Sequence, residues 1–63
     1  MEIKDMGGNP IGRIEEENGR LVAMDNGSNP LGYYDEATNT TSDTGGNPIA
    51  QGNILSWLIR RNY

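Results

Sequence analysis

Asp5-Met6-Gly7-Gly8-Asn9-Pro10, Asp25-Asn26-Gly27-Ser28-Asn29-Pro30 and Asp43-Thr44-Gly45-Gly46-Asn47-Pro48 are three copies of one pattern, Asp-x-Gly-(Gly/Ser)-Asn-Pro. An aliphatic residue follows each copy (Ile11, Leu31, Ile49), and then a small one (Gly12, Gly32, Ala50). The copies start 20 and 18 residues apart, and periods near 20 mark stacked or radial repeat units. Each copy reads as the turn of a β-hairpin. Asp and Asn side chains bond their own backbone, and Gly supplies positive φ. Pro holds its own φ and pushes the preceding Asn to an extended conformation.

Working outward, Asn18-Gly19 is a strong two-residue hairpin signal. Asp35 to Asn39 reads as a four- to five-residue hairpin loop, with Asn39 suited to the left-handed region. The strands between these turns are expected at 2–6, 11–17, 20–25, 31–35, 39–43 and 48–50. Alternation along 11–15 (IGRIE) is imperfect, because Ile11 and Ile14 flank a Gly and an Arg. Gly12 and Gly32 sit inside strands, where Gly has a cost. Their recurrence leaves two readings open, a close approach by a neighbouring group or a β-bulge.

After Gly52 the character of the chain changes. Asn53 reads as a helix N-cap. At helical spacing Ile54, Leu55, Leu58 and Ile59 share one broad face with Trp57 on its flank, and Arg60 and Arg61 suit a helix C-terminus. Two of the five Lys+Arg lie here. The remaining three against nine Asp+Glu give the rest of the chain a charge of −6. So short a helix must dock, either on its own β-unit or on a partner. The partner reading assigns Ile54, Leu55, Trp57, Leu58, Ile59, Arg60 and Arg61 to the contact, since Trp and Arg dominate binding hot spots.

The expected fold is all-β: three hairpin-like repeats in an antiparallel meander plus a short C-terminal helix, with radial or barrel-like closure as an alternative. The expected organisation is a repeat module over 1–52 (repeats near 5–24, 25–42 and 43–52) and a helical docking tail over 53–63. The turn positions Asp5, Asn9, Pro10, Asp25, Asn29, Pro30, Asp43, Asn47 and Pro48 are assigned structural roles. Leu, Ile, Val and Phe number only eleven of 63 residues. Chains this small and this poor in large aliphatics usually need disulfides, metals or partners. A protein partner is therefore expected, either a larger assembly or further copies of the chain.

Composition narrows the chemistry. There is no Cys and no His, hence no disulfide, no conventional zinc site and no imidazole base. An acidic chain without a basic stripe is a poor nucleic-acid ligand. No apolar run reaches the ~20 residues of a membrane span, and MEIKDM lacks a signal-peptide layout. Glu15, Glu16, Glu17, Asp35 and Glu36 are carboxylates of the type that runs glycoside hydrolysis, but nothing in the sequence pairs them. A solvated run that protects a sheet edge is the expectation, and no catalytic residue is expected. Asp5, Asn9, Asp25, Asn29, Asp43 and Asn47 offer oxygens of the kind calcium accepts. They do not match an EF-hand loop, and no cofactor is expected. Tyr33 and Tyr34 are adjacent and face opposite sides of a strand. One is expected in the core, the other free to stack on a sugar or a partner.

Asp5 to Gly12, read as Asp-x-x-Gly-Asn-Pro-Ile-Gly, resembles short hairpin-repeat proteins of the "β-flower" kind. Gly32 to Ile59 (GYYDEATNTTSDTGGNPIAQGNILSWLI) is similar to small bacteriophage proteins in which such a repeat precedes Gly-Asn and a short apolar tail. Together the two stretches cover most of the chain. The third repeat departs from the pattern at Ala50 and is cut short at Gly52, as if adapted to meet the tail. No activity is tied to the resemblance itself. The lack of cofactor chemistry and the short core suit a non-enzymatic structural or assembly protein. With the phage resemblance, the expectation is a virion component that self-associates and docks on a larger protein through its tail. The expected location is the virion or the host cytoplasm. Two other classes stay open, an acidic inhibitor that blocks a host enzyme and a carbohydrate-binding repeat resting on the tyrosines.

Overall fold

A computed structural model describes residues 1–61. Six strands form one antiparallel sheet in the order of the chain: β1 (Glu2–Lys4), β2 (Pro10–Glu17), β3 (Arg20–Asp25), β4 (Pro30–Asp35), β5 (Thr40–Ser42) and β6 (Pro48–Gln51). A single helix, α1 (Leu55–Arg61), follows. The expected meander and C-terminal helix are both present. The sheet is open, with β1 and β6 as its edges, so the closed alternative is not adopted within the chain.

The three repeat turns are built alike. In the first, the Asp5 carboxylate Oδ1 accepts from the Gly7 and Asn9 amides, both at 2.9 Å, and Asn9 O accepts from Asp5 N at 2.9 Å. Asp25 with Gly27 and Asn29, and Asp43 with Gly45 and Asn47, repeat these bonds at 2.8–3.0 Å. β1 and β5 stop at Lys4 and Ser42, short of the expected 6 and 43, while β3 runs to Asp25, which also pairs with Gly12. The opposite ends of the hairpins close as expected, with Asn18 (φ 53°), Gly19 (φ 81°) and Asn39 (φ 53°) in the left-handed region.

Each repeat hairpin carries the same irregularity. Ile3 pairs with Gly12 but Lys4 with Pro10, so Ile11 is skipped. In the same way Leu31 is skipped between β3 and β4, and Ile49 between β5 and β6. The extra residue of a bulge resets the side-chain alternation. Ile11 and Ile14, three positions apart, can therefore both enter the core.

The core lies between the sheet and α1, which packs chiefly on β2, β3 and β4. It is built from Ile3, Ile11, Ile14, Ala23, Leu55, Leu58 and Ile59, with Leu21, Leu31, Tyr34 and Ile54 packed against it. The helix is thus docked on its own sheet. Of the seven tail residues expected to meet a partner, Leu55, Leu58 and Ile59 are consumed in this core, at 0%, 7% and 1% exposure. The physical reason is area. The sheet face alone offers few large aliphatics, and the helix supplies three fully buried ones. Trp57, Arg60 and Arg61 face outward, and Ile54 is half-buried.

Candidate functional site

Two glycines set the seat of the helix. A side chain at Gly12 would collide with Ile59 Cγ2 at 2.7 Å and with the Met24 carbonyl. One at Gly32 would meet Leu58 Cδ1 at 2.7 Å and the Ser42 carbonyl at 2.9 Å. Both readings of these glycines therefore hold. Each adjoins the bulge, and each clears the space into which a helix side chain drops.

The entry to α1 is fixed by Thr41, the only buried polar residue among those described. Its hydroxyl donates to Gly52 O at 2.6 Å and accepts from Ile54 N at 3.2 Å. Asn53 Oδ1 accepts from Leu55 N at 3.0 Å, the expected N-cap. At the far end Arg60 Nη1 donates to Lys4 O at 3.4 Å. Sequence reasoning missed Thr41, because a Thr in a short strand reads as an ordinary β-former.

The consequence is unequal cover for three equivalent repeats. Ile59 sits over Gly12 in the first and Leu58 over Gly32 in the second. At the third, Ile49 and Ala50 line an open groove together with Ile54, Trp57 and Arg61. The equivalent aliphatics record the gradient: Ile11 is 4% exposed, Leu31 is half-buried and Ile49 is 44% exposed. Trp57 stands at the rim with 53% of its surface exposed. The Arg61 guanidinium lies 4.8 Å from its ring centroid, a cation–π geometry. A second hollow shares Ile49 and Arg61 with the first and is lined also by Leu31, Asp43 and Leu58. Ile49, Ala50 and Asp43 were not among the residues expected at a contact surface. Their signal was the third repeat's departure at Ala50.

The other expected residues fall elsewhere. Tyr34 packs against the core and donates its hydroxyl to Asn39 Oδ1 at 2.6 Å. Tyr33 is on the opposite face, with the Arg20 guanidinium 4.0 Å from its ring centroid. Arg13 bonds Glu15 at 2.9 Å and pairs across the sheet with Glu2. Arg20 pairs with Glu17. These arginines are interspersed among the acidic residues of that face.

The carboxylates of Asp5, Asp25 and Asp43 are bound up in their own turns. The amide of Asn9, Asn29 or Asn47 is the main cause that holds each below the ordinary value of 3.8. Among the described residues no group of three or more Asp or Glu is placed to share a metal ion, and no helix is long and apolar enough to cross a membrane.

No family model, curated protein or solved structure matches the chain.

Proposed function

We propose that this protein is a non-enzymatic assembly component that docks on other protein through Ile49, Ile54, Trp57 and Arg61. The carrying observation is that α1 covers two of three equivalent repeats and leaves the third with an exposed Ile49 beside an exposed Trp57. Contiguous apolar surface with a charged rim marks interaction sites, and Trp with Arg forms the usual hot spot. The non-enzymatic reading is supported by the engagement of Asp5, Asp25 and Asp43 within their own loops and of Glu15 with Arg13. The setting we infer is a bacteriophage particle, on the resemblance of Gly32 to Ile59 to small phage proteins.

The test is site-specific photocrosslinking in the producing cell. A benzophenone amino acid replaces Trp57 in one variant and the exposed Glu17 in another. Protein adducts are expected at position 57 and not at 17. No adduct at 57, or equal yields at both, overturns the reading. Peptides of the chain in purified particles would support the virion setting, and their absence there would remove it.

A further inference from the structure

We infer that a second copy of this chain covers the third repeat, through a two-fold contact in which each copy seats Trp57 on the other's Ile49, Ala50 and Ile54 and sets Arg61 against the other's Asp43. The inference rests on the interaction-surface reading above and names the partner.

The first argument is the difference between the two sheet edges. An edge strand is a template for pairing, and proteins blunt it with charge, Lys above all. β1 is blunted: it reads Glu2-Ile3-Lys4, with Lys4 Nζ 3.7 Å from Glu2 Oε1. β6 reads Pro48-Ile49-Ala50-Gln51 and carries no charge. Pro48 and the strand's short length blunt β6 in part, but the uncharged edge is the one beside the uncovered apolar groove. Edge and groove together form one surface suited to close association.

The second argument is self-complementarity. A two-fold contact uses one patch on both copies, so the patch must hold each feature together with its complement. This patch does. Trp57 projects beside the groove formed by Ile49, Ala50 and Ile54. Arg61 and Asp43 both line the second hollow with Ile49. A cation and an anion in one hollow beside an apolar residue are what a rotated copy of the same surface matches. Exposed ion pairs of this kind add little affinity, but they set register and orientation. The affinity would come from Ile49 and Trp57.

The third argument is the repeat itself. At the first two repeats the chain fills the hollow over the small residue with an apolar side chain from α1. At the third the same kind of hollow, over Ala50, opens outward. Trp57 of a second copy is an apolar helix residue already exposed and adjacent to the two-fold contact.

The experiment is light scattering on the full chain from micromolar to millimolar concentration, with circular dichroism on each sample. The expected mass is twice 6.9 kDa. Ile49→Glu is expected to weaken association at least 100-fold and to return the mass to 6.9 kDa with the dichroism spectrum unchanged. Met6→Glu, at a fully exposed site, is the control and should leave the mass at two copies. A wild-type chain that stays monomeric overturns the inference. So does a mass of three or more copies, which signals head-to-tail association, or an Ile49→Glu chain that still dimerises. If the wild type is monomeric while the probe at position 57 crosslinks a different protein, the dimer fails and the docking reading stands. If neither mass nor crosslink appears, both fail.

Discussion

The Thr41 hydroxyl donates to the Gly52 carbonyl and accepts from the Ile54 amide, so one side chain ties β5 to the point where the strand region ends and the helix begins. Gly52 has φ 88°, a conformation open to Gly and strained for other residues. The chain bends at Gly52, and Thr41 holds both sides of the bend.

Thr41→Val keeps the shape of the side chain and removes both bonds. It leaves a carbonyl and an amide without their partner in a part-buried setting, at a cost of about 1–3 kcal/mol. In a domain this small each 1 kcal/mol lowers Tm by roughly 4–8 °C. Thermal unfolding of Thr41→Val and Thr41→Ser should separate the two effects. Val should lose the full amount, and Ser, which restores the hydroxyl, should recover most of it. A Val variant as stable as wild type would show that the bonds do not secure the helix.

Gly12→Ala should be among the most damaging single methyl additions in the chain. The new Cβ would meet the Met24 carbonyl, which is backbone and cannot move aside, as well as Ile59. Overpacking of this kind costs about 1–3 kcal/mol. At Gly32 the backbone clearance is wider, 2.9 Å to Ser42 O, and the other obstacle is the end of the Leu58 side chain. Chemical denaturation should rank Gly12→Ala below Gly32→Ala, and both below wild type. The reverse order would mean that the helix, rather than the sheet, limits the space.

Much of this architecture was written locally. Asn18-Gly19, the three Asp-x-Gly-x-Asn turns and the Asn53 cap are all contained within a few residues, and the structure holds each of them where the sequence placed it. The imperfect alternation at Ile11 and Ile14 was legible too, but its cause, a skipped residue, appears only once Ile3 and Lys4 are paired with Gly12 and Pro10. What stayed hidden is long-range. Nothing near residue 58 says that Leu58 will sit over Gly32, 26 positions earlier, rather than over Ala50. The candidate surface depends on that choice. It consists of what the helix leaves uncovered, so it was legible only as an odd third repeat.

The repeat turns should give the protein an acid limit. Asp5, Asp25 and Asp43 are each held below 3.8, chiefly by the amide of the Asn four residues on. A carboxyl depressed in the folded state contributes stability that is complete above its unfolded value and is lost as pH falls through the folded one. Tm should therefore be insensitive to these groups at neutral pH and fall as pH drops below about 3.8. NMR titration of the three carboxyl carbons should place all three midpoints below 3.8. A midpoint at or above that value would show that the turn is not held by its carboxylate. Asp25→Asn should flatten the acid limb of the Tm profile, since one of the three linked protons is gone.

Ser28 occupies, at φ 66°, the position held by Gly8 (φ 83°) and Gly46 (φ 85°) in the other two repeats. A side chain in the left-handed region costs about 1–2 kcal/mol relative to Gly. In return the Ser28 hydroxyl accepts from Arg13 Nη2 at 2.8 Å, an exposed bond worth about 0.5–1.5 kcal/mol at most. Strain and bond therefore oppose each other and nearly cancel, and a single substitution would not separate them. Comparing Ser28→Gly with Ser28→Ala does. Both lose the hydroxyl, and only Gly relieves the backbone, so Gly should be more stable than Ala by about 1 kcal/mol. The converse change, Gly8→Ser, adds the strain at a turn position where nothing lies within 4 Å of the new Cβ and should cost about 1–2 kcal/mol. If Ala and Gly at position 28 melt together, the turn does not impose the left-handed conformation in solution. The near-identity of the three turns would then rest on the Asp and Asn bonds alone.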